Sequence, residues 1–514
     1  MADQVPVERE IELKLRARPE DLHRLKTAPA LAGAKSSTRT LENTYFDTPD
    51  LVLHGRGVSL RVRRVGRKLV QTLKAPTDIG ETALARPEWE TPVPGPAPDL
   101  SLLPAEALTV LEGIDPQALG PVFASTVKRT TCLLTPAEGV CVEVAIDQGE
   151  ITAPDGRTAQ LTELELELKQ GGDAATLYAI ARDLTETAPL WVETKSKARR
   201  GFDLATGAAG GWSKADALEL PRDATVEEAF ARIVRHCLAH MLDNEACALS
   251  GERPEGIHQM RVALRRLRSA LSTFRDVLPP EQAATLGAEV KWLASSFGPA
   301  RDWDVFLSES LRPVDKAFPG EASLRALEKA ARAARERGYV QARGAILSMR
   351  YTRLLLDLGA WVDGRGWRGD PARDALLDQR VTDFADAMLE KRHRQARKRG
   401  RGFATLPTEK RHQLRIALKK LRYAAEFFRS LYPEKAVRRY LKDLAALQEA
   451  LGRLNDTATL HRLVDELEAA RGPAGWRLGA GMVLGWRGHG AAQAEGELVA
   501  DWKRFKETEP FWAE

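Results

Sequence analysis

Two charged patterns have spacings that could do chemistry. In the first, Glu8, Glu10, Glu12, Lys14, Arg16 and Arg18 alternate with Val7, Ile11, Leu13 and Leu15. Successive side chains of a strand point to opposite faces, so this run would put charge on one face and aliphatic groups on the other. Glu163, Glu165 and Glu167 repeat the pattern with acidic residues, and Arg61 and Arg63 with basic ones. Arg86, Glu88 and Glu90 mix the signs, and Glu143 and Asp147 share parity. One such strand is an ordinary solvated face. Several, sorted by sign, are not, because like charges in a row repel and an open surface intersperses them. Carboxylate oxygens are the hard ligands of Mg²⁺ or Mn²⁺. Arginine and lysine clamp phosphate oxygens, arginine in two-pronged fashion. An antiparallel barrel with a charged interior would hold both sets.

The second pattern is helical. His258, Arg261, Arg265 and Arg268 fall at i, i+3, i+7 and i+10, one face of a helix, with Arg266 beside them. His412, Arg415, Lys419 and Arg422, with Lys420, repeat it 154 residues later. The same offset relates Phe274 to Phe428, Pro279 to Pro433, Gly298 to Gly452 and Asp302 to Asp456. Two homologous helical bundles, about 225–365 and 378–510, are expected. The stripes contain no acidic residue, and an unpaired cationic stripe expects a polyanion. Lys391–Arg401 adds seven further basic residues. Nucleic acid is the competing polyanion, but only Tyr423 adjoins a stripe, so base stacking lacks a platform. Protonation of His258 and His412 would tighten polyanion binding as pH falls.

The elements that must carry these residues divide the chain of 514 residues. Alternating runs at 7–18, 58–64, 68–74, 86–93, 139–147 and 161–169 read as strands. Short helices are expected near 19–28, 101–112 and 173–186. Residues 206–224 are small and polar, as a linker is, and Thr225 with Glu228 forms a capping box opening the first long helix. Residues 1–205 hold 25 Lys and Arg against 30 Asp and Glu, and the rest hold 52 against 42. An acidic half and a basic half suit two tasks, metal holding and anion holding. No stretch is apolar and long enough to span a bilayer, and the N-terminus lacks the apolar core of a signal peptide, so a cytoplasmic protein is expected. Cys132, Cys141, Cys237 and Cys247 show no CxxC spacing and read as buried thiols.

Glu10-x-Glu12-x-Lys14 resembles the signature of the CYTH superfamily, the triphosphate tunnel metalloenzymes. The resemblance extends over about 5–204 through Ser59-Leu-Arg61-Val-Arg63, Thr72-Leu-Lys74, Arg86-x-Glu88-x-Glu90, Arg129-Thr-Thr, Glu143-x-x-x-Asp147, the 163–167 glutamates and Lys195-Ser-Lys197 followed by Arg200-Gly-Phe. It implies an eight-stranded antiparallel tunnel in 1–205; with the linker at 206–224 and the helical periodicity of 225–510, a multidomain α+β chain ending in an all-α domain is expected. The resemblance further implies metal-dependent hydrolysis of a triphosphate. Glu10, Glu12, Asp147, Glu163, Glu165 and Glu167 would hold Mg²⁺ or Mn²⁺. Arg61, Arg63, Lys74, Arg86, Arg129, Lys195 and Lys197 would neutralise phosphoryl oxygens. Lys14 would sit beside the metal, and Glu88 or Glu90 would orient water. The repeats resemble the CHAD domain, which is associated with inorganic polyphosphate and is often found after a CYTH domain. Gly298-x-x-Arg301-Asp302-x-Asp304 fits its second motif, whereas Asn455 and Ala458 depart from it in the other copy. The expected partners are inorganic triphosphate and polyphosphate, with no membrane, and association with polyphosphate granules is in keeping with them. The alternatives are a nucleoside or thiamine triphosphatase, a class IV adenylate cyclase, or a non-catalytic polyphosphate-binding protein.

Overall fold

The computed structural model describes residues 9–76, 85–208, 210–470, 475–493 and 495–513, with side chains except at 9–10, 85–86, 453–457, 491–493 and 495–497. The chain divides into two units, Met1–Gly211 with Leu347–Gly366 and Trp212–Ile346 with Trp367–Glu514.

The first unit is built on antiparallel strands β1 (Arg9–Ala17), β2 (Ser36–Asp47), β3 (Ser59–Val65), β4 (Lys68–Lys74), β5 (Ala85–Pro92), β6 (Gly120–Leu134), β7 (Cys141–Thr152), β8 (Thr158–Gln170) and β9 (Leu190–Val192). They pair in the order β5-β4-β3-β2-β6-β7-β8-β1-β9. β5 also pairs with β1, with Arg9 opposite Pro87 and Ile11 opposite Ala85. The pairings thus return to β1 after eight strands. The sheet has nine strands rather than the expected eight, because the short β9 adds to β1 beside Leu15–Ala17.

Alternation decides which face each strand buries. Leu13 and Leu15 of β1, Val142, Val144 and Ile146 of β7, and Leu164 and Leu166 of β8 form one apolar layer with Leu177, Ala181 and Leu184 of the helix Ala174–Thr187. Burying these groups contributes on the order of 10 kcal/mol, opposed by the entropy of ordering the chain. The opposite face carries the charged residues of the same strands.

The helix Met349–Asp363 belongs to this unit, although its sequence position falls inside the first helical repeat. Leu356 is fully buried in the apolar layer. Thr352 Oγ1 donates to the Leu190 carbonyl at 2.6 Å, and Trp191 Nε1 donates to the Leu347 carbonyl at 3.2 Å. The Tyr178 hydroxyl donates to Asp363 Oδ2 at 2.8 Å. Gly359 permits this approach, since a Cβ there would lie 2.5 Å from the Tyr178 ring.

The second unit is helical. Thr225 Oγ1 accepts from the Glu228 amide while Glu228 Oε2 accepts from the Thr225 amide, the capping box expected from sequence. Phe274 and Phe428, one offset of 154 apart, meet with ring centroids 6.1 Å from each other, and Phe384 stacks on Phe274 at 4.9 Å. Repeat-related positions therefore converge on one core. Trp303 is fully buried and Trp292 partly so. The segment expected as a linker is tied down from Trp212 onward. Leu218 and Leu220 are buried, and the Leu220 amide donates to Ser430 Oγ at 2.9 Å.

Candidate functional site

On the charged face of the sheet, side chains from strands two apart touch, so the face is concave and its groups point toward one another. At its centre are Asp147 on β7 and Glu163 and Glu165 on β8. All three are buried, with carboxylate oxygens within 4.8 Å of one another. Register brings them together, because Asp147 lies opposite Glu163 and Glu165 lies opposite Lys14 of β1.

Each carboxylate is already matched by a cation. Arg129 of β6 donates through Nε to Asp147 Oδ1 at 2.8 Å and through Nη2 to Asp147 Oδ2 at 2.6 Å, and it also contacts Glu165. Arg200 Nη1 donates to Glu163 Oε2 at 2.9 Å. Lys197 Nζ lies 2.8 Å from Asp147 Oδ2 and 2.6 Å from Glu165 Oε1, and it contacts Glu163 as well. Burial opposes ionisation throughout, but Lys197 and Arg129 hold the Glu165 carboxyl well below its ordinary range. For Glu163 burial prevails and pushes its carboxyl up, against the pull of Lys197.

Lys197 and Arg200 come from the helix Lys197–Thr206, whose start is capped by Ser196 Oγ accepting from the Arg199 amide. Gly201 lets the helix lie against β6, since a Cβ there would stand 2.0 Å from the Phe123 ring. Phe202 stacks on His54 at 4.3 Å and meets Phe123 edge-on at 5.1 Å. Tyr45, Phe123, Val127, Ile151 and Leu161, which share the inward parity, form an apolar cluster with Ala198 and Phe202 of this helix.

A second group lies on β3, β4 and β5. Lys74 Nζ pairs with Glu88 Oε2 at 3.0 Å, Thr72 Oγ1 donates to Glu90 Oε1 at 3.0 Å, and Arg61 Nη2 is 3.6 Å from Glu88 and 3.8 Å from Glu90. Burial lowers the Arg61 guanidinium, but Tyr45, Glu88 and Glu90 together raise it by more. Arg63 differs. It donates to Asn43 Oδ1 at 2.9 Å and, among the described residues, has no carboxylate at ion-pair distance. Burial, then Arg61 and Arg129, push its guanidinium down to about 10. A recessed cation without an acidic partner, flanked by two more cations, is set for an anion.

Several expected residues are placed otherwise. Lys197 was expected to face phosphate and instead sits on the carboxylates. Lys195 pairs with Asp203 at 2.7 Å rather than turning into the sheet. Glu12 contacts Lys14, and Glu167 pairs with Lys169 at 2.6 Å, so neither joins the central trio. The side chains of Glu10 and Arg86 lie outside the described residues. Sequence reasoning named Arg200 within the family motif without giving it a role, and missed Asn43 and Tyr45 as site residues. The parity of Asn43 and Tyr45 on β2 was the available signal.

In the helical unit, His258 and Arg261 are partly buried, and Arg265 and Arg268 are exposed on the helix Pro254–Thr273. Burial, then Arg301, Arg265 and Arg261, push the His258 imidazole down to about 4. In the free protein its protonation therefore belongs to pH well below neutrality. Arg266 turns from the stripe toward the helix Val226–Asp243. Its charge lowers His236 and His240, though less than their burial does, and its guanidinium lies 5.8 Å from the Phe427 ring. Arg422 carries an acidic partner, Glu426, at 2.7 Å. His412 is exposed, and Arg415 and Lys419 are partly buried on the helix Thr408–Phe428. Lys420 lines a 520 Å³ groove with Arg275, Lys391, Arg392, Arg394 and Lys398, and with Asp276, which pairs with Lys391 at 2.8 Å. Asp304 is a structural residue, accepting from Arg335 Nε at 2.6 Å and from the Tyr339 hydroxyl at 2.9 Å. Asp302 pairs with Arg462 at 2.5 Å. The side chain of Asp456 is outside the described residues.

The CYTH domain profile matches residues 8–202 and the CHAD domain profile matches residues 232–465. The chain thus carries a CYTH domain followed by a CHAD domain. Over 163 residues, 32% of its length, it is 31% identical to a Haemophilus influenzae protein named inorganic triphosphatase, and the match spans 45% of that relative. An uncharacterised Mycobacterium tuberculosis protein is 26% identical over 424 residues, 76% of each chain. The crystal structure of the CHAD domain from the plant Ricinus communis is 36% identical, with a TM-score of 0.51, covering 58% of this chain and 98% of that one. The trio Asp147–Glu163–Glu165 and the Arg61–Arg63 pair both lie in the CYTH domain. No helix of the described residues is long and apolar enough to cross a membrane.

Proposed function

We propose that the CYTH domain hydrolyses a phosphoanhydride of inorganic triphosphate, and that the CHAD domain binds inorganic polyphosphate. The observation that carries the first part is the sorting of charge on the concave face. Buried carboxylates gather on β7 and β8, while Arg63 on β3 has, among the described residues, no carboxylate at ion-pair distance. A linear polyanion would be gripped by Arg61, Arg63 and Lys74, with Arg129 anchoring the neighbouring carboxylates. Glu88 and Glu90, held by Lys74 and Thr72, are the groups near these cations that could orient a water molecule.

Asp147, Glu163 and Glu165 fit a divalent cation by donor chemistry, since they offer hard oxygens close together. Mg²⁺ or Mn²⁺ held there would neutralise phosphoryl charge. The resemblance to an inorganic triphosphatase over part of the chain supports this substrate over thiamine or nucleoside triphosphates. In the CHAD domain, the exposed Arg265 and Arg268 and the cationic groove beside Lys420 support polyphosphate binding.

The test is phosphate release by the full chain from triphosphate, long polyphosphate, ATP and thiamine triphosphate, each with Mg²⁺ or Mn²⁺. Faster release from triphosphate is expected. Release from none of the four, with polyphosphate still bound, would leave the binding-protein reading.

A further inference from the structure

The carboxylate trio already holds a cation, and that cation belongs to the chain. Asp147, Glu163 and Glu165 are held at close contact by Arg129, Arg200 and Lys197, with Lys14 farther off at 3.9 Å from Glu165, and the three close partners are not equivalent. Arg129 grips Asp147 and Glu165, while Arg200 grips Glu163. The Lys197 ammonium alone among these three touches every carboxylate of the trio. Glu163 Oε1 is fully buried and, among the described residues, makes no hydrogen bond of normal geometry, so its contact is the ammonium. A guanidinium is a broad plane that binds from the side. An ammonium is a compact point charge and takes the position an ion would take.

We propose that Lys197 is a tethered counter-ion of the trio, and that its ammonium and a divalent cation occupy the three carboxylates alternately. The proposal rests on the reading of the trio as the metal site. The two cations exclude one another for two reasons. They would share the same oxygens, and like charges at contact distance in a buried site repel strongly. With Lys197 in place the trio is neutralised and keeps its shape without metal. With the ion in place, Lys197 is released to accompany the phosphate charge that the ion brings. The helix need not move for this. Gly201 against Phe123 and Phe202 against His54 fix its body, and the flexible stem of Lys197 leaves by rotation alone.

The experiment is Mn²⁺ titration of the full chain without substrate, followed by electron paramagnetic resonance of free Mn²⁺. The proteins are wild type, Lys197→Met, Lys197→Gln and Lys197→Arg. Removing the competing charge should tighten Mn²⁺ binding by about tenfold or more in the Met and Gln variants, and leave it untightened in the Arg variant. A second reading keeps the test valid if the Met variant is poorly stable. Mn²⁺ should raise the unfolding temperature of Lys197→Met and Lys197→Gln more than that of wild type. Adding Asp147→Asn to Lys197→Met should abolish the gain. Unchanged or weaker Mn²⁺ binding in both neutral variants would overturn the proposal. Phosphate release by wild type is measured alongside. Hydrolysis without tightening sinks the lysine exchange alone, and tightening without hydrolysis sinks the enzymatic reading alone.

Discussion

Arg63→Gln separates an anion site from a structural arginine. Its guanidinium is pushed down to about 10 by burial and by Arg61 and Arg129. The pKa in the folded chain lies below that in the unfolded chain, and both lie above neutrality. At pH 7 the cost of holding the charge is therefore fully present, and it is relieved only as pH rises past about 10. The displacement corresponds to at most about 3 kcal/mol. The group is partly exposed, so screening by water reduces this to roughly 1–2 kcal/mol. Glutamine removes the charge and keeps an amide donor for Asn43 Oδ1. The free variant should then unfold about 2–6 °C higher than wild type at pH 7. With triphosphate the sign reverses. Loss of a charge-assisted contact worth about 1.5–3 kcal/mol should weaken binding roughly 10- to 100-fold. Thermal unfolding of the full chain with and without triphosphate reads both effects. A variant that melts lower when free, or that is stabilised by triphosphate as much as wild type, refutes the reasoning.

Leu356→Ala should destabilise the unit that contains the sheet, by about 2–4 kcal/mol, because Leu356 is fully buried in its apolar layer. Hydrogen exchange should quicken in the helix Ala174–Thr187 and in β8, and an effect confined to the helical unit would contradict the packing. His258 is held near 4, so between its unfolded value of about 6.5 and that level only the unfolded chain takes the proton. Stability of the helical unit should therefore fall as pH drops through this window, and His258→Gln should recover about 1–2 kcal/mol of the loss between pH 7 and 4.5. Urea unfolding at the two pH values measures this, and an identical loss in the variant would show that His258 does not titrate there.

Much of the β unit was legible because inward charge and outward aliphatics alternate plainly on β1, β3, β7 and β8. β2 and β6 did not stand out. The first five residues of β2 are exposed, and its later inward residues include the neutral Asn43. β6 carries the polar Ser125 and Arg129 on its inward face, and the alternating Ala124, Thr126 and Lys128 are exposed. Neither strand displays a continuous apolar face, and pairing on both sides holds them instead. Among the helical residues, the offset of 154 was legible in one dimension. Whether Arg266 points out or in was not, because that depends on which neighbour covers each side of the helix.

The sequence by itself determined the two classes of charged element, the family resemblance, the repeat and the capping box, because strand parity, helical periodicity and end-capping are local properties. Only the tertiary structure decided which carboxylates meet. Glu12 and Glu167 share the strand faces of the trio, yet Lys14 and Lys169 claim them, while Asp147 joins Glu163 through register. It also decided that Lys197 serves the carboxylates and that Met349–Asp363 packs on the sheet unit. These are contacts between residues far apart in the chain, and burial, shape and charge balance select them after the local elements have formed.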